Sequence, residues 1–166
     1  KSLKSLTMKK KSKLKIIKLH KVPEFIETCA QWNYLEWKEK LGFCLDDSVE
    51  WVRQVTFSTQ GEFAVIAFWD ETPVGMNFLE RNDANERPEL TPWLSGVYVT
   101  PDYRGKGIGS ALIKAIEDLA YDEGYKEIYL HTPNVEEIYT KLGWQTFDEF
   151  NREKSGRHAV MRKVLI

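Results

Sequence analysis

Apolar residues change their spacing several times along this chain, and each change marks an element. Leu14 to Leu19, centred on Ile16 and Ile17, reads as a short strand. Val22-Pro23-Glu24 then opens a helix, since proline is tolerated in a first turn and glutamate is favoured at its positive end. Phe25, Ile26, Cys29, Trp32 and Trp37 keep near-helical spacing to residue 40, and Gly42 breaks it. Asp46, Asp47 and Ser48 offer caps for a second helix carrying Val49, Trp51, Val52 and Val55. From Gly61 the period shortens. Phe63 to Trp69 is continuously apolar, as a buried strand is, and Asp70 to Pro73 turns the chain into a partner strand, Val74 to Leu79.

A polar loop, residues 80 to 92, precedes a strand from Trp93 to Thr100. A glycine-rich turn at 105 to 109 leads into a helix with Leu112, Ile113, Ile116, Leu119 and Ala120 on one face, ended by Gly124. Lys126 to His131 is a strand, Asn134 to Leu142 a short helix, and Trp144 to Phe150 a strand. A turn with Ser155 and Gly156 precedes the last strand, His158 to Val164. Helices between strands on both sides of the chain's middle give an α/β fold with a sheet of mixed strand direction.

Composition narrows the class. The 166 residues are 42% hydrophobic and 30% charged, the balance of one globular domain able to fold without disulfides or metal. No apolar run reaches the roughly 20 residues of a membrane helix, and no secretory signal pattern is present. Cys29 and Cys44 are too few for a disulfide framework and read as buried free thiols, so a cytoplasmic location is expected. Charge is uneven. Nine of the 24 basic residues fall within residues 1 to 21, which hold no acid; the rest of the chain has 15 basic against 25 acidic residues. A Lys-rich start, 1–13, therefore precedes a single acidic domain, 14–166. The acidic body disfavours specific nucleic-acid binding, although the start alone could attract polyanions.

One segment carries chemistry on its face. Arg104-Gly105-Lys106-Gly107-Ile108-Gly109-Ser110 lies between a strand and a helix. Its glycines allow a tight turn and close backbone approach. The amides of Gly107, Ile108, Gly109 and Ser110 become unpaired first-turn donors aimed at an anion, and Arg104 and Lys106 add charge. A nucleotide P-loop needs GxxxxGK followed by Ser or Thr, and no Lys follows Gly109. A dinucleotide fingerprint needs GxGxxG, whereas the spacing here is GxGxG. The three histidines, His20, His131 and His158, lack HxxxH spacing for zinc, and no GxSxG elbow occurs.

This segment resembles the acetyl-CoA motif of the GCN5-related N-acetyltransferase superfamily, Gln/Arg-x-x-Gly-x-Gly/Ala. Arg104, Gly107 and Gly109 match it in register. A second family segment, Tyr-x-Lys-x-Gly-Phe, is similar to Tyr139-Thr140-Lys141-Leu142-Gly143-Trp144. The resemblance implies a mostly antiparallel sheet whose two central parallel strands splay apart around acetyl-CoA. It implies that the main chain of Val97 to Val99, Tyr98 included, lines the pantetheine arm while residues 104 to 110 hold the pyrophosphate. It implies direct acetyl transfer to an amine, with Tyr139 as the acid that protonates the leaving thiolate. Thr132 stands where the family often has Asn, and is expected either to bond the pantetheine or to serve the turn around Pro133.

The base is not marked by the resemblance, because no acid occurs between Trp93 and Thr100. Glu80, ending the preceding strand, is the first candidate, Glu89 the second and Glu86 a third, with a water-mediated or absent base as the alternative. Trp93, with Glu80, Glu86 and Glu89 nearby in sequence, is expected either to form a site for a cationic amine through its ring face or to be a core residue. The acceptor expected is thus a small amine, with a protein amine as alternative and a homodimer as an option common among such relatives. Two competing readings are an acyl-CoA-binding domain without transfer and a polyanion binder driven by the Lys-rich start.

Overall fold

The computed structural model describes residues 11–166, so most of the Lys-rich start lies outside the described residues. Seven strands form one sheet in the order β1-β2-β3-β4-β5-β7-β6. They are β1 (Leu14–Lys18), β2 (Phe63–Trp69), β3 (Thr72–Glu80), β4 (Trp93–Val99), β5 (Glu127–Thr132), β6 (Gln145–Arg152) and β7 (Gly156–Val164). Every neighbouring pair is antiparallel except β4 and β5, which run parallel. The mixed, mostly antiparallel sheet expected from the sequence is the sheet observed.

Helices cover both faces. Helix α3 (Ile108–Asp122) lays Ile108, Leu112, Ile113, Ile116 and Ala120 against Val65, Val74, Leu79, Leu94, Ile128 and Leu130. On the opposite face α1 (Ile26–Asn33) and α2 (Leu45–Thr56) pack Ile26, Cys29, Ala30, Val52 and Val55 on Ala64, Ile66, Phe68, Met76 and Phe78. β2 is sandwiched between these two layers, which is why its sequence is an unbroken apolar run. Side chains from β4, β5, β6 and β7 form a third, smaller cluster around Trp93 and Val160.

Some local expectations shift. The first long helix is α-helical only to Asn33, widens into a π turn at Tyr34–Lys38, and ends in a tighter turn before Gly42, whose φ is +82°. The cap of α2 is Cys44, earlier than the acids expected there. Its amide and thiol both donate to Asp47 Oδ2, at 3.1 and 3.2 Å. Ser48 lies inside the helix instead, buried and donating to Asn33 Oδ1 at 3.1 Å. Cys44 is consequently exposed, against the expectation that both thiols are buried; Cys29 is buried, and that burial pushes its thiol up to about 12.

Candidate active site

The site begins where the sheet fails to pair. β4 and β5 share one register pair, Trp93 with Tyr129, beside which the Tyr129 amide donates to Pro92 O at 3.0 Å. Beyond it the strands separate, leaving main-chain groups on both facing edges without a ladder partner. The cause lies on the other side of β4. Its register with β3 jumps between Met76–Tyr98 and Phe78–Ser95, so Gly96 and Val97 together oppose Asn77. Gly96 has φ +62°, and a Cβ there would lie 2.7 Å from the Phe78 ring. Only glycine fits this bulge. Asn77 beside it is fully buried, and its Nδ2 has no partner.

Past the splay, β4 runs into the glycine turn and α3. Gly105 and Gly107 have φ +78° and +81°, with nothing within 4 Å of an added Cβ, so conformation rather than space demands glycine. Gly107 caps α3 without any side-chain bond, and the first helical bond runs from the Ala111 amide to Gly107 O at 3.1 Å. The amides of Ile108, Gly109 and Ser110 precede that bond and remain open, with no acidic residue in the first turn to meet them. Gly109 needs no special φ, and a Cβ there would only touch Val99 at 3.8 Å. The glycine leaves bare backbone on a surface where the fold itself would accept a side chain. Arg104 turns its Nε back onto Val99 O at 2.9 Å and lies 5.8 Å from the Tyr98 ring. Lys106 Nζ sits 5.7 Å over Trp69. Thr100, just past the end of β4, has a buried hydroxyl without a partner. Val97 and Val99 lean on the α3 layer, while the Tyr98 ring lies tilted against Trp32 of the opposite layer, with centroids 5.5 Å apart.

Tyr139 comes from α4 (Glu136–Lys141), its ring edge-on to Trp144 at 6.1 Å. Burial pushes its hydroxyl up to about 12, so it stays protonated at any working pH. Thr132 uses its hydroxyl oxygen locally, accepting from the amides of Asn134 at 3.4 Å and Val135 at 3.3 Å. These bonds serve the turn around Pro133, one of the two roles expected for it.

The three candidate carboxylates part company. Glu80 is buried, accepting from Trp51 Nε1 at 3.0 Å and from the Ser95 hydroxyl. Burial first, and the negative charge of Asp83 second, push it up to about 8. Glu89 is exposed and paired with Arg87 at 2.6 Å, which holds its carboxyl below the usual range. Glu86 meets Arg152 through two bonds of 2.8 and 3.1 Å and is held down at about 2. Glu89 and Glu86 are therefore arginine counter-ions, poor at taking a proton near neutrality. Of the two readings of Trp93, the structure excludes the amine site and bears out the core. The side chain is completely buried and donates Nε1 to Leu90 O at 2.8 Å, so no ring face is open to an amine. Its size and its position at the last paired rung make it the core of the splay. Trp51 and Ser95 escaped the sequence reading as partners of Glu80 because only packing of α2 on the sheet and pairing of β3 with β4 bring them there, whereas Asp83 follows Glu80 by three residues.

These features define a class. The acetyltransferase (GNAT) family model matches residues 24–144, and the chain belongs to that family. It is similar to a thialysine N-epsilon-acetyltransferase from Bos taurus, 36% identical over 61 residues covering 34% of this chain and 36% of that protein. Thus the chain aligns with about a third of that relative, and with 48% of the corresponding enzyme from Sus scrofa. In fold it matches an aminoglycoside 6'-acetyltransferase type Ii, with a TM-score of 0.72 and 22% identity over 92% of this chain and 97% of the other. An aminoglycoside 6'-N-acetyltransferase complexed with coenzyme A gives the same TM-score of 0.72, at 19% identity and with the same coverage of 92% and 97%.

Proposed function

We propose that this protein transfers an acetyl group from acetyl-CoA directly to the primary amine of a small cationic acceptor. The observation that carries the reading is the continuity of an unpaired β4 edge with the open first-turn amides of α3. The residues present fit the cosubstrate. The amides of Ile108, Gly109 and Ser110 would hold its pyrophosphate, with Lys106 adding charge and Arg104 able to do so through its remaining donors. The Val97–Val99 edge would lie along its pantetheine arm. Acetyl-CoA supplies an activated thioester, so the protein needs to provide only orientation and proton management.

Glu80 is proposed as the base that takes a proton from the acceptor's ammonium, and its raised pKa matches that work near pH 8. Tyr139 is proposed as the acid that supplies a proton to the departing thiolate. Cationic character in the acceptor is supported by the excess of acid in the body of the chain and by Glu80 and Asp83 together. Among the described residues no helix is long and apolar enough to cross a membrane. The test is calorimetric titration with acetyl-CoA of the wild type, Gly107→Trp and Tyr139→Phe. Binding near micromolar affinity by the wild type and Tyr139→Phe but not by Gly107→Trp is expected; a folded wild type that binds no acyl-CoA refutes the reading.

A further inference from the structure

From Asp83, whose charge bears on Glu80, four side chains form an unbroken polar chain. Asp83 Oδ2 lies 3.0 Å from His131 Nε2, His131 Nδ1 lies 3.0 Å from His158 Nδ1, and His158 Nε2 lies 2.7 Å from Ser155 Oγ. Asp83 comes from the loop after β3, His131 from the end of β5, His158 from β7, and Ser155 from the exposed turn between β6 and β7. The chain thus runs from the neighbourhood of Glu80 to solvent. His158 is buried, stacked on Phe150 at 5.1 Å and 13°, and the Trp93 ring stands edge-on to His131 at 5.8 Å.

The partners decide the tautomers. Anionic Asp83 requires a hydrogen on His131 Nε2. His131 Nδ1 is then the acceptor in the neutral state, His158 donates to it through Nδ1, and Ser155 donates to His158 Nε2. Adding one proton at the Ser155 end reverses the inner bond: His158 takes Nε2–H, the shared hydrogen passes to His131 Nδ1, and His131 becomes an imidazolium against Asp83. A second proton would set two N–H groups against each other at 3.0 Å. The pair therefore holds at most one positive charge. That charge enters from solvent and comes to rest beside Asp83. Other charges facing the pair are Glu86 and Arg152, which neutralise one another in their own ion pair, and Glu80 on the Asp83 side.

We propose that Asp83 is a second anionic contact for the acceptor's ammonium, and that the His131–His158 pair, by holding or releasing one proton, sets how much of its charge the acceptor meets. This rests on the acetyltransferase reading for its acceptor. His131 and His158 act as positioning residues through Asp83. The affinity expected depends on pH in one direction: as pH falls the pair loads its proton, Asp83 is countered, and the amine KM rises.

Two measurements test this. The first is an NMR titration of the imidazole signals in a His20→Asn background, which leaves only the pair. Uptake of one proton felt by both rings is expected, and independent uptake of one proton by each ring overturns the coupled pair. The second is acetyl transfer to thialysine, with amine KM followed against pH. Asp83→Asn should raise KM about tenfold with a smaller effect on kcat, the loss of roughly one charge contact, and should flatten its pH dependence. His131→Gln should also flatten that dependence while keeping KM low, because no ring is then left to carry the charge that counters Asp83. A KM for Asp83→Asn equal to wild type at every pH overturns the role given to Asp83. Absence of transfer by the wild type to thialysine and a panel of other amines refutes the acetyltransferase reading and the role of Asp83 with it, whereas the proton count of the pair is decided by the spectra alone.

Discussion

Replacing Glu80 with Gln should make the protein more stable and much less active, and both effects should depend on pH. The buried carboxyl is shifted from an ordinary 4.5 to about 8. For an acid raised in this way, the unfolded chain binds fewer protons than the folded one between those two values, so stability falls as pH rises through that window. Each step of one pH unit inside it costs about 1.4 kcal/mol. At pH 7 the wild type would carry a penalty of about 3 kcal/mol, and above pH 8 about 5 kcal/mol. Glutamine retains an oxygen for Trp51 Nε1 and carries no charge, so the variant escapes the penalty. Urea unfolding of both proteins at pH 4.5, 6, 7 and 9 should show a stability difference that is near zero at the lowest pH and grows to several kcal/mol. Acetyl transfer by the variant should fall about 100-fold or more, and the wild-type inflection near pH 8 should vanish from its profile. A stability difference that does not change with pH would refute the burial argument. Retained activity with the same inflection would refute the assignment of the base.

Tyr139→Phe should lower kcat by about 10- to 1000-fold, with acetyl-CoA affinity unchanged by calorimetry, if the hydroxyl serves as an acid. Gly96→Ala should cost about 1–3 kcal/mol in urea unfolding, because its methyl meets the Phe78 ring inside a positive-φ bulge, and acetyl-CoA binding should weaken with it. Trp93→Leu should destabilise by about 3 kcal/mol through the cavity left in a fully buried site. At a temperature where that variant remains folded, an amine KM close to wild type is expected; a large selective rise would restore the ring to the acceptor site.

Elements with one strong periodicity were readable from the chain alone. Phe63–Trp69 has the bounds its apolar run implies, and α3 follows the glycine turn as its capping pattern requires. The open first-turn amides of α3 were also readable, since glycine spacing between a strand and an amphipathic helix is a local signal. What escaped depends on neighbours in space. Whether Trp93 faces solvent or core cannot be read from a single position on a strand covered on both sides. The surroundings of Glu80, Glu86 and Glu89 are set by Trp51, Arg152 and Arg87, and only Arg87 is close to its partner in sequence. His131 and His158 meet because β7 inserts between β5 and β6, a strand order that no local pattern announces.

The single rung between β4 and β5 has a mechanical consequence. The sheet is two leaves, β1 to β4 and β5-β7-β6, sewn at one stitch and backed by α3. An extended ligand arm laid into the opening would add the missing stitches. The line along which the protein is easiest to pull apart would then be the line its own substrate fastens. Amide exchange should slow together on both leaves when that arm is in place, with β1, far from the seam, registering little change.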